Sequence, residues 1–325
     1  MSMKPLPGLR SASAVVLAAA VGLALMLAAV LATLLWQERA EALAQQRQRG
    51  ELFARVLEDH VTRSLESVAF SLATLAGAAA DEGVDDVARS SAALAQTLSA
   101  QPQLRALAVV DARGRVLASS VPRDIGMTVD PSRLGAAPLP GRGAIGPYVA
   151  GRGLADLAPN AGATGTPAGV GFIPMLRNVV TRDGHGLLLV ALVNPDALVS
   201  HMRLTLQDED SAAVLATYGG QLMLATSEQA PGSPLTQLPV FSSFLPQREH
   251  ASYVGDGVRP GAQVLAFRVS RSFPLVLLVE RPLAVVTAEW FDKASYRLAL
   301  GLLASAVTAV FGYVAARSLR LREQV

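Results

Sequence analysis

Five polar side chains in the middle of the chain have the types suited to holding a ligand: Arg123, Tyr148, Arg152, Arg177 and Asn178. A guanidinium offers a rigid planar fork that matches a carboxylate or another anion, and a phenol or carboxamide adds directed hydrogen bonds. The ligand class such a set suits is therefore a small, anionic molecule. The competing reading of Arg123 and Arg177 is that they are solvated residues at strand ends.

Other chemistries are excluded by type and spacing. The chain has no cysteine, and His60, His185, His201 and His250 stand singly rather than at i, i+4. No metal is expected. The run "GRGAIG", Gly141 to Gly146, has dinucleotide-loop spacing but follows "AAPLP" instead of a strand and precedes Pro147 instead of a helix, so it reads as a loop. Lys4 and Lys293 are the only lysines, which removes a phosphate loop from the middle of the chain. No serine sits in G-x-S-x-G or S-x-x-K, "EAL" at Glu41–Leu43 is coincidental, and "YGG" at Tyr218–Gly220 lacks an acidic pair. Neither cofactor nor catalytic activity is expected. A formal charge of +2 without a basic cluster makes nucleic acid an improbable partner.

The elements that position the five residues begin and end in lipid-grade runs. No charged residue falls between Arg10 and Glu38, or between Arg297 and Arg317, and each run is long enough to cross about 30 Å of hydrocarbon as a helix. A cleaved signal peptide competes for the first run, which is longer than the usual apolar core and lacks a good cleavage cue. Lys4 and Arg10 outside one span and Arg317, Arg320 and Arg322 outside the other place both termini in the cytoplasm. The expected order is a tail (1–10), a first span (11–36), a stalk helix (37–80), two units (81–199 and 200–286), a juxtamembrane helix (287–297), a second span (298–316) and a tail (317–325). Trp36 and Trp290 mark the outer interfaces.

The stalk carries Leu52, Phe53, Val56, Leu57, Val61, Leu65, Val68 and Leu72 at steps that make one broad stripe. That stripe serves the chain's own units, a second copy, or both, and a homodimer is expected. His60 then reads as a stalk-surface or interface histidine. A helix over Val84–Ala100 precedes the hairpin "LRALAVVDARGRVLASS", which turns at Gly114. Further strands are predicted at Gly143–Ala150, Val170–Val179 and Gly186–Val193, and the Gly/Ala/Pro-rich run 150–169 reads as a mobile loop that would close over a pocket. The pattern restarts at "AAVLATYGGQLMLATS" with Gly220 in Gly114's place, and continues with strands at Ala251–Val254, Ala262–Ser270 and Leu275–Glu280. Both units end alike, in "LVALVNPDAL" and "LLVERPLAVV", an apolar strand running into a proline at a helix start. The fold class is α+β, with two tandem antiparallel-sheet units between two transmembrane helices.

This arrangement resembles the double-Cache sensor domains of bacterial membrane receptors, whose two units are PAS-like. "LRALAVVDARGRVLASSVPRDIG" is similar to that family's first hairpin, and "VGFIPMLRNVVTRDGHGLLLVALVNPDAL" to the last two strands of the membrane-distal unit. The resemblance implies a small-molecule pocket in the distal unit, a second unit that relays the change, and a two-pass protein of the inner membrane with its middle region extracytoplasmic. It also implies an output of the histidine kinase, diguanylate cyclase or chemoreceptor kind, for which the 325 residues hold no domain. In amino-acid-binding members a tryptophan caps the ligand, whereas both tryptophans here flank the spans. Two other classes remain open: a scaffold without a ligand, such as a polysaccharide chain-length regulator, and a degenerate sensor that contacts a protein partner.

Overall fold

A computed structural model describes residues 9–84, 86–158 and 169–322. Half of the expected pocket loop, residues 159–168, lies outside the described residues, as do residues 1–8 and 323–325 of the two tails. The elements are α1 (Leu9–Glu82), α2 (Val87–Ser99), β1 (Leu104–Asp111), β2 (Val116–Ser119), β3 (Gly143–Ile145), β4 (Val149–Ala150), β5 (Gly171–Val180), β6 (Gly186–Val193), α3 (Pro195–Leu206), β7 (Ala212–Thr217), β8 (Leu222–Ala225), β9 (His250–Asp256), β10 (Ala262–Val269), β11 (Leu275–Pro282) and α4 (Leu283–Arg322). The described residues form two compact bodies, one within 47–282 and one of those up to 46 with those from 283 onward.

The larger body is organised by the outer part of α1. No proline interrupts this helix over 74 residues, so the expected span and stalk are continuous. Ala54, Leu57, Val61, Leu65, Val68, Leu72, Ala76 and Ala79 are all buried, at repeating steps of three, four and four. That is an eleven-residue repeat of about 3.67 residues per turn, close to the natural pitch of a straight helix, so the stripe drifts little along the axis. One core joins it to β1, β5 and β6 of the first sheet, to β7, β10 and β11 of the second, and to Leu198, Met202 and Leu206 of α3. Leu52 and Val56 of the expected stripe lie outside it, 58% and 52% exposed, because Ala54 rather than a larger neighbour faces the sheet there.

The first sheet runs β2-β1-β6-β5-β3, with β4 also on β5, and the second β8-β7-β11-β10-β9, every pairing antiparallel. Both faces of each sheet are covered, the stalk on one side and a second apolar cluster on the other. Central strands such as "LLLVALV" and "LVLLV" are consequently apolar throughout instead of alternating.

The internal repeat is detailed at the level of single hydrogen bonds. Register shifts between Val109 and Val110 in β1, and between Leu215 and Ala216 in β7. The Val116 amide donates to Met127 at 2.8 Å and the Leu222 amide to Ser233 at 2.9 Å; the Leu107 amide donates to Ser120 Oγ and the Ala213 amide to Thr226 Oγ1, both at 2.9 Å. Each pair is offset as Gly114 is from Gly220, the turn glycines with φ of 84° and 80°. At Gly114 a side chain would also strike the Val129 carbonyl.

One expected strand divides. Residues 143–150 form β3 and β4 because the ladder stops after Gly146, which still donates to the Pro174 carbonyl at 2.7 Å: neither Pro174 nor Pro147 has an N–H to continue it, and β4 resumes one residue out of register, with Val149 opposite Phe172. At the other boundary, Pro282 closes β11 and the helix begins at the next residue.

Polar contacts clamp the stalk to the second sheet. Glu58, 4% exposed, accepts from Thr62 at 2.8 Å and faces Arg268 at 3.6 Å; Thr62 in turn meets Ser270 at 2.7 Å. Asp59 takes Arg271 at 2.9 Å, Glu51 takes Ser252 at 2.6 Å, and Glu66 takes Ser272. On the sheet itself, Glu280 is fully buried yet accepts from the Val258 amide, the Arg259 amide and Arg259 Nε at 2.7, 3.1 and 3.0 Å.

In the smaller body both helices are apolar enough to cross a membrane by length and composition. Gly301 and Gly312 of α4 receive Leu31 and Ala20 of α1 where any Cβ would overlap them, and Arg297 pairs with Glu38. Without a hydrophobic drive between helices in lipid, such close approach is what holds them together.

Two substitutions probe these cores. Leu65→Ala removes a side chain 1% exposed under the sheets, and it is expected to lower stability by about 2–5 kcal/mol in chemical denaturation of the purified chain. Glu280→Ala leaves Arg259 and two amides without their acceptor, and a loss of about 3–5 kcal/mol is expected in the same assay.

Candidate functional site

The outer face of the first sheet is where the chain spends most of its irregular residues. After β2 it turns through Pro122–Asp124 and Pro131–Leu134, passes β3 and β4, and turns again through Leu154–Leu157. Leu134, Leu154 and Leu157 from these segments, with Phe172 of β5, are fully buried against Ala106, Ala108, Val110 and Val190. This face is filled by apolar side chains.

The five candidate residues lie in three places around it. Arg123, its side chain 82% exposed, stands 4.0 Å from the carboxylate of Asp124. Arg152 is exposed, and its amide donates to Asp156 Oδ2 at 2.5 Å. Arg177 and Asn178 are half-buried on β5, paired beside the start of β3, and Asn178 Nδ2 donates to the Pro138 carbonyl at 2.9 Å. Tyr148 is half-buried beside β4, its ring over Gly171 at the opposite end of β5. At about 3.3 Å per residue, the six positions from Gly171 to Arg177 set Tyr148 roughly 20 Å from the arginine. The structure thus groups Arg123 with Arg152 near two carboxylates, and Arg177 with Asn178, and leaves Tyr148 by itself among the five.

Asp124 was not singled out by the sequence. It is 3% exposed, and burial holds its carboxyl above the usual carboxylate range; Arg123 opposes that shift and Asp156 adds to it. Nothing in "VPRDIG" marks the aspartate as inward-facing, since a 3₁₀ turn has no periodic signal.

Tyr148 opens onto a cavity of about 640 Å³ between the two sheets' units. Its walls are Tyr148, Ala150 and Val170 on one side, Asp196, Val199, Ser200 and Arg203 of α3, and Leu224, Ala225 and the 227–231 turn after β8. Local folding fixes each wall. Asn194 caps α3 by accepting from the Asp196 amide at 3.2 Å, and Pro195 supplies the first turn. Arg105 reaches over from β1, giving Nε and Nη2 to Asn194 Oδ1 at 3.0 and 2.8 Å and Nη2 to Asp196 Oδ2 at 2.8 Å. Arg203 Nε and Nη2 donate to the Thr226 carbonyl at 3.3 and 2.9 Å. Burial raises the Tyr148 phenol, with Arg105 opposing and Asp196 assisting, so it stays a neutral donor at physiological pH. Asp196, Glu228 and Arg203 give the cavity both signs of charge, where the sequence pointed to anion-binding forks alone. Of its walls, only Tyr148 was among the residues expected from sequence; α3 and the second hairpin come together through the fold. A smaller cavity of about 430 Å³ lies at the far end of the β5–β6 hairpin, beside an exposed Arg182–Asp81 pair at 2.9 Å.

With this geometry in view, known structures can be compared. No protein-family model and no curated protein matches the sequence. Solved structures do. The extracellular domain of a putative histidine kinase, rpHK1S-Z16, superposes with a TM-score of 0.62 at 19% identity over 76% of this chain and 99% of that one. The two-sheet body has the fold of that extracellular domain. The ligand-binding domain of the Pseudomonas aeruginosa PAO1 amino-acid chemoreceptor PctC, solved with GABA, gives 0.52 at 12% identity over 73% of this chain and 99% of its own. An extracellular ligand-binding receptor of Desulfohalobium retbaense gives 0.53 at 12% over 72% of this chain, which spans 40% of that receptor. The arrangement of two antiparallel-sheet units read from the hairpins is therefore a fold that these extracellular and ligand-binding domains share.

The raised carboxyl of Asp124 has a directional consequence. The native state then binds a proton more readily than the unfolded one, so this residue's contribution to stability declines as pH rises from the unfolded value of 3.8 through the raised one. Asp124→Asn is expected to melt higher than the parent at pH 7, with the gap closing as pH approaches 4; a variant that melts lower at pH 7 contradicts this account.

Proposed function

We propose that the chain is the signal-sensing input module of a two-pass inner-membrane receptor, with 47–282 outside the cytoplasm and both termini within. In this reading a small molecule binds beside Tyr148 at the edge of the distal unit, and the change passes through α3 and the stalk into the spans. The observation that carries it is the position of α3. One side of this helix walls the cavity with Asp196, Ser200 and Arg203, while Leu198, Met202 and Leu206 are buried in the core that contains the stalk stripe. A ligand that prefers one arrangement of α3 shifts the equilibrium of the helix it packs on.

The ligand proposed is a small molecule bearing a carboxylate for Arg203 and a cationic or donor group for Asp196 and Glu228. GABA in the PctC domain is a molecule of that class and supports the reading. Arg123 and Arg152, beside Asp124, form a second polar patch on the same unit, and Arg177 and Asn178 a third; each is proposed to tune loop position in place of touching this ligand. The exposed Leu52, Val56 and Phe70 of the stalk favour a homodimer through that face, and lipid surrounds both spans. Two sheet-bearing units on one stalk favour a sensor over a scaffold of extended helices.

The test is a thermal-shift screen of the full chain in lipid nanodiscs against amino acids and mono- and dicarboxylates. A binder at about a hundredfold its dissociation constant should add some 2.7 kcal/mol. Tyr148→Ala and Arg203→Ala are each expected to weaken it at least tenfold, whereas Arg177→Ala should leave it within about twofold. Equal loss in all three variants, or none, contradicts the proposed placement.

A further inference from the structure

Two histidines that the ligand reading does not use meet across the stalk and α3. The imidazoles of His60 and His201 lie with ring centroids 3.4 Å apart and planes 17° from parallel. One ring belongs to the helix that continues into a span, the other to the helix that joins the two units. Both residues are half-buried, at the edge of the core that holds Leu57, Val61, Leu198 and Met202.

We infer that the His60–His201 stack is an acid-sensitive latch that holds α3 on the stalk near neutral pH and releases it on acidification. Two imidazoles in face-to-face contact resist becoming imidazolium together, since protonating both rings places like charges at van der Waals distance. Surrounding charge does not cancel this. Among the described residues, the groups that act on His60 are His201 from α3 and Asp59 from its own helix. Asp59 is already taken by Arg63 of α1 and Arg271 of the β10–β11 turn, and Arg203, two residues beyond His201, is tied to the Thr226 carbonyl. Burial first and His201 second hold His60 below its usual value, with Asp59 opposing. Its folded value is therefore lower than its unfolded one, so the latched arrangement is fully stable above about pH 6.5 and loses stability as pH falls below it. The surroundings of an extracytoplasmic domain follow the medium, so the stimulus this latch would read is external acid. The inference holds wherever a ligand binds.

The test uses the full chain in nanodiscs without ligand. Because the sequence has no cysteine, Arg55→Cys on the stalk and Leu204→Cys on α3 give a unique spin-label pair; both positions are exposed, and dilution with unlabelled chain isolates the distance within one molecule. From pH 7.5 to 5 the distance is expected to change by about 1–2 Å or more, the scale of known helix shifts. His60→Phe with His201→Phe keeps flat rings but cannot charge, and should hold the neutral-pH distance throughout. His201→Asn removes the like charge, and should raise the pH at which the His60 ring titrates by NMR. A constant distance in the parent, an unchanged transition in the double Phe variant, or a His60 midpoint that does not rise in His201→Asn overturns the latch.

Discussion

Burial of one helical stripe beneath two sheets is the interaction on which this architecture depends. Neither sheet could cover its inner face alone, and the stalk could not remain a solvated helix with eight small and aliphatic residues aligned on one side. Each needs the other. The eleven-residue step makes this possible over a long distance, because at about 3.67 residues per turn it stays close to the helix's own pitch and keeps the stripe facing nearly one way for more than twenty residues.

From that constraint the rest follows. Two units built to one plan lie along the same stripe, and the hydrogen-bond correspondence between them, down to the bulge and the turn glycine, suits a duplicated module. The joining segment must be short and must also pack on the stalk, so it is a three-turn helix. Its free side becomes the wall of a cavity, and its buried side shares a core with the stalk. A single element thereby touches the candidate ligand site, both sheets and the helix that runs toward lipid. The polar clamp of Glu58, Asp59 and Thr62 on Arg268, Arg271 and Ser270 fixes the second sheet in rotation about the stalk, which apolar contact by itself does poorly.

How much of this was legible depended on whether the signal was local. The hairpins announced themselves through β-formers flanking "DARG" and "YGG", and the spans through uninterrupted apolar length. Most of the stalk stripe is also readable, but hydrophobicity alone does not separate Leu52 and Val56, which stay exposed, from the buried positions, nor mark Ala54 as one of them. The division of Gly143–Ala150 needed knowledge of Pro174 on a partner strand. The candidate site was the least legible. Tyr148 lines the cavity, but the Asp196, Ser200 and Arg203 side chains that share it belong to a helix whose orientation is set by the stalk, and the inward turn of Asp124 has no pattern at all. Side chains such as Arg123 and Arg177 looked alike in sequence, and only the fold separates them by place.

The central claim, that stripe and sheets form one cooperative core, is tested most directly by native-state hydrogen exchange of the membrane-embedded chain. If it holds, the amides of residues 54–79 of the stalk and those of β6 and β11 will open with the same, near-global free energy and the same denaturant dependence. Stalk amides that exchange freely while β6 and β11 remain protected would show that the sheets stand without the helix, and would contradict it.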